Sequence, residues 1–209
     1  MTRRTLVFDI GGVVVHWHPL DLMRQVLPAQ AHDEASAKVV AAAIFQGLTP
    51  GGDWAEFDRG RIEPAALAER IAARTGYAVQ SVLALIAAIP AHIQPMPASV
   101  ALLERVRAAG HRLALLSNMP APYADHLEAA HPCFGWFAAS VFSGRVGLMK
   151  PERAMFDHAR EALALDLEHA LFIDDHPGNI DAARACGWQA LRFENAAQCE
   201  ADLRRDGWL

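Results

Sequence analysis

The chain has 209 residues, 53% of them hydrophobic and 21% charged, with a formal charge of −5. That length holds one full core with a smaller appended unit, and the composition excludes a disordered chain. No apolar run reaches the roughly 18 residues of a membrane span, and acids outnumber bases with no cluster of Lys and Arg to follow a phosphate backbone, so neither a membrane nor a nucleic acid is an expected partner.

The first stretch, MTRRTLVFDIGGVVV, sets basic residues ahead of an apolar run as a secretory leader does. Asp9 interrupts the run and no small-residue cleavage site follows. Thr5–Phe8 therefore reads as a buried strand that meets Asp9 and turns at Gly11-Gly12. Residues 16–90 carry helical patterns at 33–45, 64–75 and 80–88 and no convincing strand. Pro64 suits a first helical turn and Gly76 a helix stop. From 97 onward, helices at 97–109, 121–130, 151–163 and 177–185 alternate with short apolar strands at 112–116, 138–142, 170–173 and 188–192. Such alternation implies an α/β fold, a Rossmann-like three-layer core around a parallel sheet. The expected division is a core formed by 1–15 with 91–209 and an inserted helical-bundle cap at 16–90. An insertion there lies over the carboxyl ends of the strands, where ligands of open α/β sheets bind. Cys133, Cys186 and Cys199 are odd in number and widely spaced, which supports neither a disulfide framework nor a zinc pattern; a reducing cytoplasm is the expected setting.

Four polar motifs fall at strand ends or helix starts. Asp9 after the first strand either stabilises a turn or attacks an electrophile, with the neighbouring glycines letting backbone N–H groups approach an anion. Ser117-Asn118, after RLALL, forms a polar turn or donates hydrogen bonds to a phosphoryl oxygen. Lys150, before Pro151, is a solvated charge or neutralises phosphoryl charge. Asp174-Asp175, directly after LFI, is the sharpest signal. The pair can cap the helix that starts at Pro177, but facing Asp9 it makes an all-oxygen site suited to Mg²⁺.

FDIGGVVV, LLSNM, KPERAMF and FIDDHPGNI, in that order and spacing, resemble the four motifs of haloacid dehalogenase-like hydrolases. The resemblance spans essentially the whole chain, because the helical insertion is similar to that superfamily's helical (C1) cap, and it is greatest for the branch of glucose-1-phosphate phosphatase-like proteins. It implies that Asp9 is a nucleophile forming an aspartyl-phosphate and that Mg²⁺ is held by the Asp9 carboxylate, the Gly11 carbonyl and Asp174, with Asp175 in support. It further implies that Ser117 and Lys150 hold the transferring oxygens, with Asn118 and Asn179 in orienting or substrate-binding roles. The implied activity is a Mg²⁺-dependent phosphatase acting on a small phosphorylated metabolite, sugar phosphates among the candidates, in a monomer or homodimer.

One departure stands out. The family's usual second Asp, two residues after the nucleophile, protonates the leaving oxygen; here the position is Gly11. A positioned general acid is typically worth about 10²–10⁴-fold, so His16 and His18, at the start of the cap, are candidate replacements. Substrate choice falls to the cap, where Trp54, Phe57, Asp58, Arg59 and Arg61 surround Gly60; Arg59 and Asp58 are the candidate substrate contacts. Two other readings remain: a metal-independent 2-haloacid dehalogenase, whose members lack the acidic pair, and a non-catalytic binding protein that Gly11 leaves without its acid.

Overall fold

β1 (Thr5–Phe8) is buried at every position, as a central strand must be when it has neighbours on both edges and layers on both faces. The computed structural model describes residues 4–46 and 51–209, so residues 1–3 and 47–50 of the expected core and cap ranges lie outside it. Between β1 and β2 (Arg112–Ser117) run α1 (Pro19–Val26), α2 (Glu34–Phe45), α3 (Asp53–Asp58), α4 (Pro64–Thr75), α5 (Val79–His92) and α6 (Pro97–Ala108). Then come α7 (Ala121–Ala130), β3 (Ala139–Phe142), α8 (Ser143–Val146), α9 (Arg153–Ala162), β4 (Ala170–Asp174), α10 (Pro177–Ala185), β5 (Gln189–Arg192) and α11 (Ala196–Arg205). The five strands form one parallel sheet in the order β3-β2-β1-β4-β5.

The period of two along each strand builds the layers. Leu6, Phe8, Leu113, Leu115, Leu171 and Ile173 pack on the face that carries α6 and α11, in a cluster continuous with α1–α5. Val7, Ala114, Leu116 and Phe172 face the other way, onto Met155, Phe156 and Ala159 of α9 and Ile180 and Ala183 of α10. The expected α/β sheet with helices on both faces is thus observed. Among the described residues, no helix is long and apolar enough to cross a membrane.

The element boundaries differ from expectation where tertiary contacts intervene. The helix expected to end before Pro90 runs through it to His92. Proline has no N–H to give to the carbonyl four residues back, and that carbonyl, of Ile86, instead accepts the Tyr123 hydroxyl at 2.9 Å. The helix expected from 151 starts at Arg153, after an extended Glu152. α1 and α3, of 8 and 6 residues, are too short for a periodic signal to declare them. α11 was legible in principle, since Asn195 caps it by accepting from the Gln198 amide at 2.9 Å.

Candidate active site

Parallel pairing with Phe8 opposite Ile173 makes Asp9 and Asp174 leave the sheet side by side, at the carboxyl ends of β1 and β4. The first connection out of β1 leads to β2 on one side while β4 lies on the other, so the two acids flank the topological switch point of the sheet. Asp175 follows immediately, and carboxylate oxygens of Asp9, Asp174 and Asp175 lie within 4.8 Å of one another. This approach depends on Gly12, which has φ +74°: a Cβ there would come within 2.6 Å of Asp175 Oδ2.

Lys150 is buried between two of these acids, with Nζ 2.6 Å from Asp174 Oδ2 and 2.8 Å from Asp9 Oδ1. Asp174 is held further by the His176 amide at 2.8 Å and by Asn179 Nδ2, 3.0 Å and 3.1 Å from its two oxygens. Asn118 fixes Lys150 from below: its Nδ2 donates to the Lys150 carbonyl and its Oδ1 accepts from the Lys150 amide, both at 2.8 Å. The Asn118 amide is therefore spent on positioning the lysine backbone, while Ser117, at the end of β2, lines the pocket beside it.

Burial pushes the Asp9 carboxyl up to about 7, against the opposing charge of Lys150 and with the help of Asp174. Burial also raises Asp175, the more exposed of the three acids, and the Asp174 charge adds to it. For Lys150, burial works to lower the pKa, but the charges of Asp174 and Asp9 outweigh it and the ammonium is held above its ordinary value. Three carboxylates against one ammonium leave an excess of negative charge on hard oxygen donors. That donor set fits a divalent cation, and Mg²⁺ in particular, which binds through a few carboxylates and keeps part of its water shell.

These residues floor a cavity of about 380 Å³ whose lining also includes Gly11, Trp17, Trp54, Asp58 and Tyr123. Of the groups the sequence singles out, Asp9, Gly11, Ser117, Asn118, Lys150, Asp175 and Asn179 line it together, and Asp174 sits fully buried beneath it. Arg59 does not line it. Its Nη1 bonds Glu152 Oε2 at 2.9 Å, its Nη2 bonds Oε1 of the same carboxylate, and Nε lies 3.7 Å from Glu56. The guanidinium thus straps the end of α3 to the start of α9. His16 and His18 also stay outside, exposed and with rings 5.3 Å apart, while Trp17 between them turns inward. The residue that reaches the pocket from the Gly60 turn is Asp58, buried and without a cationic partner among the described residues. Its carbonyl accepts the Ser143 hydroxyl at 2.6 Å, and that hydroxyl accepts the Met119 amide at 2.8 Å. Gly60, at φ +71°, packs directly on Gly144. α3 is pinned to the sheet side of the molecule, and Asp58 with it.

The model of the haloacid dehalogenase-like hydrolase family matches residues 3–187. The chain belongs to that family. This haloacid dehalogenase-like hydrolase is 23% identical over 204 residues to the sesquiterpene phosphatase astK of Aspergillus oryzae, covering 98% of this chain and 96% of the relative. Its fold matches that of a haloacid dehalogenase family enzyme of Bacteroides thetaiotaomicron solved with magnesium and inorganic phosphate, at a TM-score of 0.70, 20% identity and coverage of 91% and 93%. It also matches the L-2-haloacid dehalogenase of Xanthobacter autotrophicus, at 0.67, 18% identity and coverage of 91% and 77%. The same fold therefore occurs in an enzyme solved with magnesium and inorganic phosphate and in one named a haloacid dehalogenase, so the fold alone does not choose between them.

Proposed function

We propose that this hydrolase is a Mg²⁺-dependent phosphatase of organic phosphate monoesters, with the helical block 16–90 as a cap over a core of 1–15 and 91–209. The observation that carries the reading is the acidic pair Asp174-Asp175 standing against Asp9 with Lys150 between. Displacement of halide from carbon needs one nucleophilic carboxylate; a cluster of three with an excess of negative charge is suited to a cation that in turn binds phosphate. The relative named as a phosphatase and the neighbour solved with magnesium and phosphate support the same choice.

Asp9, Asp174, Asp175 and the Gly11 carbonyl would hold Mg²⁺, which when bound supplies charge neutralisation for the phosphoryl group. Asp9 attacks phosphorus, the ester P–O bond breaks, and water then hydrolyses the aspartyl-phosphate to regenerate the carboxylate. Lys150 draws negative charge from the transferring oxygens and holds Asp9 and Asp174 in place. Ser117 and the backbone at the end of β2 donate to the phosphoryl oxygens, and Asn118 and Asn179 orient Lys150 and Asp174.

The test is phosphate release from acetyl phosphate and a panel of monoesters with Mg²⁺ and with EDTA, for the parent and for Asp9→Asn and Asp174→Asn. Turnover should need Mg²⁺ and be lost in both variants. Full activity of Asp9→Asn removes the covalent mechanism, and halide release from a 2-haloacid in EDTA replaces the reading with the dehalogenase one.

A further inference from the structure

The cavity lining divides into two chemical sets. At the strand ends, Asp9, Ser117, Asn118, Lys150, Asp175, His176 and Asn179 make a polar floor, so both side chains of the lining that can carry positive charge, Lys150 and His176, belong to it. The rest of the lining is mostly apolar, with Trp17, Trp54, Ile89, Ile93, Met119 and Tyr123 among its side chains, and among the described residues it carries no Arg or Lys. A phosphorylated acid or a bisphosphate would place its second anion against this wall with no cation to meet it, and a buried unpaired charge is strongly disfavoured. A sugar phosphate would bring several hydroxyls to a surface with few free partners: the Tyr123 hydroxyl is already given to the Ile86 carbonyl.

The exception on that wall is Asp58. Its carboxyl is buried among these apolar side chains, one turn of helix from Trp54, with no ion-pair partner among the described residues; burial drives its pKa well above the ordinary carboxylate value. Tyr123 lines the same cavity, and it too stays protonated, its own pKa raised by burial and by Asp58. Arg59, next in sequence, is turned away to Glu152. A carboxyl that keeps its proton is an acid at neutral pH, and it lines the same cavity as Asp9, which lacks the usual acid at Gly11.

We infer that the site takes phosphate monoesters of neutral, mainly apolar alcohols, and that Asp58 on the cap wall protonates the departing alcohol. In this step the Asp9 carboxylate oxygen bonds to phosphorus, the P–O(alkyl) bond breaks, and the Asp58 proton passes to the alkoxide, which leaves as neutral alcohol. Asp58 then accepts a proton from the water that hydrolyses the aspartyl-phosphate. The inference rests on the phosphatase reading and deepens it.

A series of n-alkyl phosphates from ethyl to decyl, each below its micelle threshold, tests the substrate class. kcat/KM should rise about three- to fourfold per methylene, the value of burying one such group, until the cavity is filled, and glucose 6-phosphate should fall below ethyl phosphate. A flat series, or a sugar phosphate better than hexyl phosphate, overturns it. Trp17→Ala, at a half-buried wall position, should flatten the series. For Asp58, log kcat against leaving-group pKa should steepen in Asp58→Asn, with a loss of about 10²-fold on hexyl phosphate that shrinks towards acetyl phosphate. A uniform loss across leaving groups overturns the proton-donor role. Calorimetry with n-alkylphosphonates in Mg²⁺ separates the two levels: affinity that grows with chain length while no phosphate ester is turned over upholds the apolar site and removes the phosphatase reading.

Discussion

Lys150 Nζ lies 2.6 Å from Asp174 Oδ2 and at the same time 2.8 Å from Asp9 Oδ1, so one buried ammonium is the internal counter-charge for two acids on neighbouring strands. Removing one partner of a buried pair typically costs about 3–5 kcal/mol, because the other charge is left uncompensated. Lys150→Met should lose stability on that scale in EDTA. Mg²⁺ should then raise the melting temperature of the variant more than that of the parent, since the cation meets the acids the lysine no longer serves. Thermal denaturation with and without Mg²⁺ reads both effects, and an absence of any Mg²⁺ shift in the parent would count against the three acids as a cation site.

Gly11 is not glycine for want of room. A Cβ built there meets only the Trp17 Cβ, at an ordinary 3.9 Å. Gly11→Asp is expected to fold with a melting temperature close to the parent's. If Asp58 already serves as the acid, adding Asp at position 11 alone changes alkyl phosphate turnover little. In the Asp58→Asn background it should recover at least about tenfold of the lost kcat, as a second route for the proton. Steady-state kinetics on hexyl phosphate for the two single variants and the double variant decide this.

The buried Asp58 carboxyl also shapes stability against pH. Its folded pKa is raised by burial, so its contribution is full below the unfolded carboxylate value, about 3.9, and is lost as pH rises from there through the folded value. Asp58→Asn should therefore gain on the parent in denaturant stability as pH climbs from 4 to 8. A stability difference independent of pH would show that the carboxyl keeps an ordinary pKa.

Gly60 joins α3 to the rest of the molecule. Its φ of +71° is costly for a side-chain-bearing residue, and a Cβ would overlap the Gly144 carbonyl, which is backbone and cannot swing aside. Gly60→Ala should lower stability by about 1–3 kcal/mol and displace Asp58. Urea unfolding and hexyl phosphate kinetics on the same sample should fall together; loss of stability with unchanged kcat would separate the α3 anchor from the site.

The sheet and its functional edge were legible because each strand reads as an apolar run and each chemical group follows directly: Asp9 after Phe8, Ser117 after Leu116, Asp174 after Ile173. Parallel register then converts sequence position into proximity. The upper part of the pocket was less accessible. Arg59 looks like a ligand contact in sequence, yet its partner Glu152 lies 93 residues away and no local pattern announces it. Trp17, Ile89 and Ile93 have the signature of ordinary core residues, and only the cavity shows that they border open space. His16 and His18 flank Trp17 in sequence, and with the indole turned to the cavity both imidazoles lie exposed. The apolar side chain took the inner side, and the histidines expected near the site stayed in solvent.

Five aromatic rings run edge to face from the stretch before α1 to α7: Trp17 against Phe45, Phe45 against Trp54, Trp54 against Phe57, and Phe57 against Tyr123, with centroids 4.5 to 5.7 Å apart. Three of these rings, Trp17, Trp54 and Tyr123, also border the cavity. The ladder stiffens this part of the wall, because moving one ring means parting it from the next. An alkyl chain lying along such a wall should gain with each methylene that meets a ring and stop gaining once it has passed the last one. The length at which the gain stops, read in kinetics, would report how far the aromatic wall extends from Asp9.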